Sequence, residues 1–333
     1  MRLSISRYTA ISILCMAFAT TASARSWRIH HNTKQLADFT DINAACASDQ
    51  VQEGDTLYLD PGCLLTAAQT VTKQLTIIGC GFSGVTQPYA FATIDAALNL
   101  QAASIKVMGA TLNTVYIKAS DITIERCRVS GGIDCSGTCP NATIRQCYVS
   151  KNTINSRTAI NGSSNWTIEN CIVTASGSYA VGITRVSNST IRNNLITTDE
   201  GGNYYTLSAS SSTITNNIII NTGVADHAFN GDETQMLNNV ISQDVAGEYN
   251  RVNVLTLDSV YTGDIQSYTL KEDSPAKNYG MDGTDCGPFG GMYPYVKGGR
   301  PFGHPYYTDF KVASRPDEND KLKVSLKIKM NDE

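Results

Sequence analysis

Two adjacent carboxylate pairs, Asp199-Glu200 and Asp232-Glu233, have the most evident capacity for acid–base work, and His227 precedes the second pair. Two carboxyls hydrolyse a glycosidic bond when one protonates the leaving oxygen and the other activates water, roughly 6.5–9.5 Å apart in the inverting case. β-Elimination from a uronate instead needs a base for the proton next to the carboxylate and a cation for the developing enolate. His227 or Tyr205 offers such a base, and Arg185 such a cation. Tyr179, Tyr204, Phe229, Arg157 and Asp226 are spread among these residues. Rings flanked by arginines and carboxylates suit a sugar, whose C–H faces stack on rings and whose hydroxyls bond to charged groups. Taken singly, each residue is equally ordinary loop decoration.

What would bring them together is a repeat. DITIERCRV at Asp121 returns as NATIRQCYV at Asn141, NWTIENCIV at Asn165, NSTIRNNLI at Asn188 and SSTITNNII at Ser211, with a weaker TQMLNNVI at Thr234. Anchoring on Ile124, Ile144, Ile168, Ile191, Ile214 and Met236 gives steps of 20, 24, 23, 23 and 22 residues. That period belongs to a solenoid, too short for paired-helix repeats and too irregular for a coiled coil. Apolar and polar residues alternate within each phrase, which is strand patterning. Three residues after the anchors come Cys127, Cys147, Cys171, Asn194, Asn217 and Asn239; five after them come Val129, Val149, Val173, Ile196, Ile219 and Ile241. Two inward columns around a small residue describe two short strands joined at a tight corner. Coils would stack at the roughly 4.8 Å spacing of paired strands. Stacked Asn would bond to the coils above and below, and Cys would pack as a small hydrophobe.

This pattern resembles the right-handed parallel β-helix proteins of the pectate-lyase-like group, over roughly residues 53–286. The expected fold is therefore all-β: a right-handed single-stranded parallel β-helix, with an N-terminal cap at 25–52 and a C-terminal extension at 287–333. The resemblance is specific for fold alone, because this fold carries lyases, hydrolases, isomerases, adhesins and scaffolds. It implies a site on the strand before the repeat phrase and on the loops at its ends. Counting back from the anchors puts outward positions near Asn161, Thr184, Tyr205, His227 and Phe229. Ligand-binding candidates are then Arg157, Tyr179, Tyr204, Phe229, Asp199, Glu200 and Asp232, with His227, Arg185 and Tyr205 as catalytic ones. The paired-Asp motif of polygalacturonase-type hydrolases is absent, as are the calcium-binding Asp cluster and the Lys–Arg pattern of the lyases. The two carboxylate pairs would stand two coils apart, roughly 10 Å along the axis, which is marginal for an acid and a base.

The ends have their own signals. Residues 1–24 combine Arg2 and Arg7, an apolar run over 11–19 and Ala22-Ser23-Ala24, the parts of a secretory signal peptide. The run is too short to span a membrane, and no other stretch approaches the roughly 20 apolar residues of a transmembrane helix. Leu14 is too large a neighbour for a lipoprotein site at Cys15. An exported protein, in the periplasm, at the cell surface or outside it, is expected. Without Arg2 and Arg7 the net charge goes from -4 to -6, which favours neither nucleic acid nor an anionic bilayer. Of ten cysteines, nine remain after Cys15 is removed. Cys80, Cys127, Cys147 and Cys171 share the repeat's small column and read as stacked thiols, whereas Cys135 and Cys139 in DCSGTC are the best disulfide pair. Zinc is not expected, since no second Cys or His pair completes such a site.

Thr40 and Asp41 cap a short helix with Ile42, Ala45 and Cys46 on one face, which would cover the open end of the solenoid. EGDTLYLDPG at Glu53 is similar to the opening phrase of many β-helix proteins. A 30-residue step from Ile77 to Val107 implies an inserted loop over 84–93. Sequons at Asn141, Asn165 and Asn188 coincide with the repeat, so turn formation explains them better than glycosylation. The closing phrase over 267–291 resembles bacterial surface β-helix proteins. Asp282 and Asp285 there invite calcium, but most of the ligands that ion needs are missing, and no cofactor is expected. The tail KLKVSLKIKMNDE alternates as one amphipathic strand, similar to tails of Bacteroidetes-like surface proteins. Such a strand cannot stand alone, so residues 321–330 would pair with the β-helix, a neighbouring chain or an assembly partner. The favoured reading is a non-catalytic envelope protein that binds glycan or serves as a scaffold. The alternatives are a lyase or hydrolase of an acidic polysaccharide and an assembly or stalk protein.

Overall fold

The computed structural model describes residues 24–82, 91–151, 158–177, 179–199, 204–263, 269–300, 305–312, 315, 319, 321 and 323–330. Most of residues 1–24 and of the loop expected over 84–93, together with Arg157 and Glu200, lies outside the described residues. Three parallel sheets, of ten, nine and eight strands, wind round a single apolar core. Ile124, Ile144, Ile168, Ile191, Ile214 and Met236 stand side by side on the first sheet. A slip of one residue would turn this whole row to solvent, so the pattern sets the register.

Just past each anchor strand the chain turns sharply. Arg126, Gln146, Asn170, Asn193, Asn216 and Asn238 all adopt the left-handed conformation, with φ between 52 and 58°. Asn tolerates that region better than most residues, which explains why it recurs. The corner directs the next side chain inward, and Cys127, Cys147, Cys171, Asn194, Asn217 and Asn239 are fully buried. The second sheet follows, then the third. Asp121, Asn141, Asn165, Asn188 and Ser211 are left-handed again where the third sheet returns to the first.

On the outer face of the first sheet, charges alternate between coils. Glu125 lies between Lys106 (3.4 Å) and Arg145 (3.1 Å), and Glu169 between Arg145 (3.5 Å) and Arg192 (2.6 Å). Burial alone would raise the Glu125 carboxyl, but the cations Lys106, Arg145 and Arg126 outweigh it and hold the carboxyl below the ordinary glutamate value.

The helix Ile42–Ala47 covers the N-terminal end, capped by Asp41, whose carboxylate accepts from the Ala44 amide at 2.8 Å, and it buries Ile42, Ala45 and Cys46. Strand Ser26–Ile29, within the expected cap, is itself the first strand of the first sheet. At the other end the last parallel strand is Val240–Ile241.

The chain then runs back along the corner between the first and second sheets. Asn238 donates to the Tyr279 carbonyl at 3.0 Å, Asn170 to Gly290 at 2.7 Å, Gln146 to Pro294 at 2.6 Å and Arg126 to Arg300 at 3.2 Å. This strap covers the outward residues of the second sheet, Ile172, Leu195, Ile218 and Val240, with Tyr261, Ala276, Cys286 and Tyr295. Both faces of that sheet are thus buried, which is why Ile218–Asn221 reads IIIN without alternation. The terminal strand, Val324–Met330, finds a partner other than those expected of it: Pro305–Val312 of its own chain, antiparallel.

Candidate functional site

Turns from the first sheet into the second take two residues, as between Glu125 and Arg128. Turns from the second into the third take three, five, eight and seven residues after Val129, Ala175, Thr198 and Asn221. The second-to-third edge is therefore where side chains have room. A trench of about 520 Å³ opens there over the third sheet.

Its floor is a row of outward residues, Tyr116, Asp134, Asn161 and Thr184, one per coil. Lys151 enters from the end of strand Tyr148–Lys151, in register with Ala175, Thr198 and Asn221. It is buried, and its ammonium donates to the Gly131 carbonyl. Glycine is required beside it: a Cβ on Gly131 would collide with Thr114 and Asn113, and Gly132 has a φ of +90°. Burial pulls the Lys151 amine below the ordinary lysine value, with the charge of Asp134 opposing. Asn161 donates its amide to the Asp134 carboxylate, while its own side-chain oxygen is buried and finds no hydrogen-bond partner among the described residues. Arg185 borders the trench, exposed, with a φ of 58° at a register shift between Ile183 and Val186. A bulge carrying a left-handed arginine is a local cost that persists only where the surroundings impose it.

Further along the same edge are rings. Tyr179 and Tyr204 meet edge-to-face at 5.2 Å and are 44% and 43% exposed. Tyr205 lies 4.9 Å from the His227 imidazole. The structure thus brings Tyr179, Tyr204, Tyr205 and His227 to one edge, while Arg185 stands across the trench from it, past Thr184 on strand Val181–Ser187. Asp199 is on the edge with the rings, accepting from the Gly177 amide at 2.9 Å.

Two expectations need correction. Phe229 does not face outward; it pairs with the buried Leu207 and packs on the core. Asp232 and Glu233 follow the third sheet rather than the second, so the width of that sheet separates them from Asp199, and the two carboxylate positions do not flank one bond.

Lys151, Asp134 and Tyr116 were missed. The signal available was a lysine in a column otherwise Ala, Thr and Asn, with a Gly-Gly pair one coil earlier. Among the described residues no cluster of three His, Cys, Asp or Glu could hold a metal. Asp282 instead accepts from the Thr284 amide and hydroxyl, and Asp285 from the Asn278 amide.

Residues 93–241 match the family described as a right handed beta helix region, which gives the winding its hand. Four solved chains match as well. One is the pectate lyase Pel9A, at 12% identity and a TM-score of 0.41, with 80% of this chain and 96% of that one covered. Among curated proteins none matches. The chain is an all-β, right-handed parallel β-helix, and none of its described helices is long and apolar enough to cross a membrane.

Proposed function

We propose that this β-helix engages carbohydrate, holding an acidic polysaccharide in the trench and along the second-to-third edge. The observation that carries this reading is the convergence of Lys151 and Arg185 on one groove with Asp134, Asn161 and Tyr116. Two cations among amide and hydroxyl groups suit a carboxylate-bearing sugar. The exposed rings of Tyr179 and Tyr204, next along the edge, suit its C–H faces. At roughly 4.8 Å per coil, trench and rings together extend over more than one sugar unit. Binding without turnover is the primary reading, and export fits it, since residues 1–24 have the composition of a signal peptide.

One observation favours a second reading. A lysine whose pKa is pulled down holds more neutral amine near neutral pH, and a neutral amine is a base. Lys151 would remove the proton beside the uronate carboxylate while Arg185 steadies the enolate, with the glycosidic oxygen leaving. Affinity electrophoresis against polyuronates and neutral glucans, with absorbance recorded for unsaturated products, tests both. Polyuronates should retard the protein, and Arg185→Gln and Lys151→Met should abolish the retardation. Equal retardation by neutral glucans, or indifference to both substitutions, rejects the binding reading; unsaturated ends that vanish in Lys151→Met establish the second.

A further inference from the structure

The nine described cysteines have different settings. Cys127, Cys147 and Cys171 are enclosed in the core, each sulfur 3.2–3.3 Å from a backbone carbonyl. Burial pushes the Cys127 and Cys147 thiols well above their ordinary value, so they are inert. Cys135 and Cys139 are arranged otherwise. Cys135 ends strand Ile133–Cys135, and Cys139 follows three exposed residues, 136–138. Their sulfurs lie 2.6 Å apart, closer than two unbonded sulfurs rest.

Both ends of this turn are held. Cys135 is in register with Ile117 on the third sheet, and the Cys139 carbonyl accepts from the buried Trp166 indole at 2.7 Å. Between them Gly137 has a φ of +113° and open space around it, so the tip adjusts freely.

We propose that Cys135 and Cys139 are a disulfide site, closing a covalent clasp on the turn from the third sheet to the first. The step is a thiol–disulfide exchange with an oxidised glutathione-type disulfide. The Cys135 thiolate attacks one sulfur of the oxidant, expels one thiol and forms a mixed disulfide. The Cys139 thiolate then attacks the Cys135 sulfur and expels the second thiol; the protein loses two hydrogens and the oxidant gains them. Cys135 is the point of entry, being 7% exposed where Cys139 has no exposure. Burial, with the neighbouring Cys135 adding to it, pushes the Cys139 thiol up to about 12 while both are reduced, and closure, which needs the Cys139 thiolate, quickens as pH rises. The clasp adjoins Asp134 and would steady the floor of the trench, but it does not depend on what the trench binds.

The test is to equilibrate the purified full-length chain with oxidised glutathione, alkylate in denaturant and map the peptides by mass spectrometry. The peptide containing both residues should be unalkylated and two hydrogens lighter, dithiothreitol should reverse this, and the other seven described cysteines should be alkylated. Closure should quicken about tenfold per pH unit below the Cys139 value, and Cys139→Ser should stop at the glutathione adduct on Cys135. Alkylation of both residues, a lasting glutathione adduct in the unaltered chain, or pairing of either with another cysteine overturns the proposal.

Discussion

Replacing Asn217 with alanine should be the most damaging single change in the small-residue column. The Asn217 oxygen accepts from the Asn194 amide at 2.9 Å and its side-chain amide at 3.0 Å. Its own amide donates to Ile191 at 2.8 Å, Thr215 at 2.9 Å and Asn239 at 3.1 Å. Truncation strands the Asn194 amide where no water reaches and takes a second donor from the Ile191 carbonyl. A buried group left unpaired costs about 1–3 kcal/mol, and the other broken amide bonds add to that before any cavity is counted. Cys171→Ala in the same column removes one sulfur and weak S–H contacts at 3.3–3.4 Å, and should cost about 1–2 kcal/mol as a small cavity. Because a solenoid responds coil by coil, amide hydrogen exchange is the appropriate assay alongside urea unfolding. Exchange should accelerate at the coils carrying Asn194 and Asn239 and stay slow near Leu57. If Asn217→Ala is no more harmful than Cys171→Ala, the ladder of amides is packing and not bonding.

Lys151→Met keeps the buried stem and removes a charge held out of water, so its melting temperature should equal or exceed that of the parent while polyuronate binding disappears; a sharp fall in melting temperature would make Lys151 a structural residue instead. Glu125, held below the ordinary glutamate value, contributes stability that is fully present above its unfolded value of about 4.3 and is lost as pH falls through its own lower value. Urea midpoints between about pH 5 and pH 2 should therefore drop less steeply in Glu125→Gln, and parallel slopes would locate the acid sensitivity elsewhere. Removing residues 276–333 uncovers Ile172, Leu195, Ile218 and Val240, and should produce dye binding and association in light scattering; a monomer with unchanged melting would show that the strap covers nothing essential.

The first sheet was legible because its anchor is an isoleucine in five of six coils and its corner needs a left-handed residue, so two physical demands print the same phrase repeatedly. The third sheet was harder to read. Strand Leu207–Ser210 is LSAS, with little hydrophobic contrast, and the bulge at Arg185 breaks the count. That uneven count is why Phe229 was assigned the wrong face. Tyr205 and His227 could be grouped because each precedes its anchor, Ile214 or Met236, by nine residues. Lys151 could not, since its value lies in reaching across a corner to Gly131, a tertiary contact without periodicity. The return strap was silent for a related reason: corner amides hold it through its backbone carbonyls, which no side-chain pattern displays.

That strap has a consequence for how the molecule can vary. In a free solenoid each coil touches only its neighbours, so a coil can be gained or lost without disturbing the rest. Here Tyr279 is fastened to Asn238 and Arg300 to Arg126 by one stretch of chain of set length. Adding or deleting a coil between Arg126 and Asn238 would throw every fastening between them out of step. The return segment acts as a measuring tape, and it fixes the number of windings.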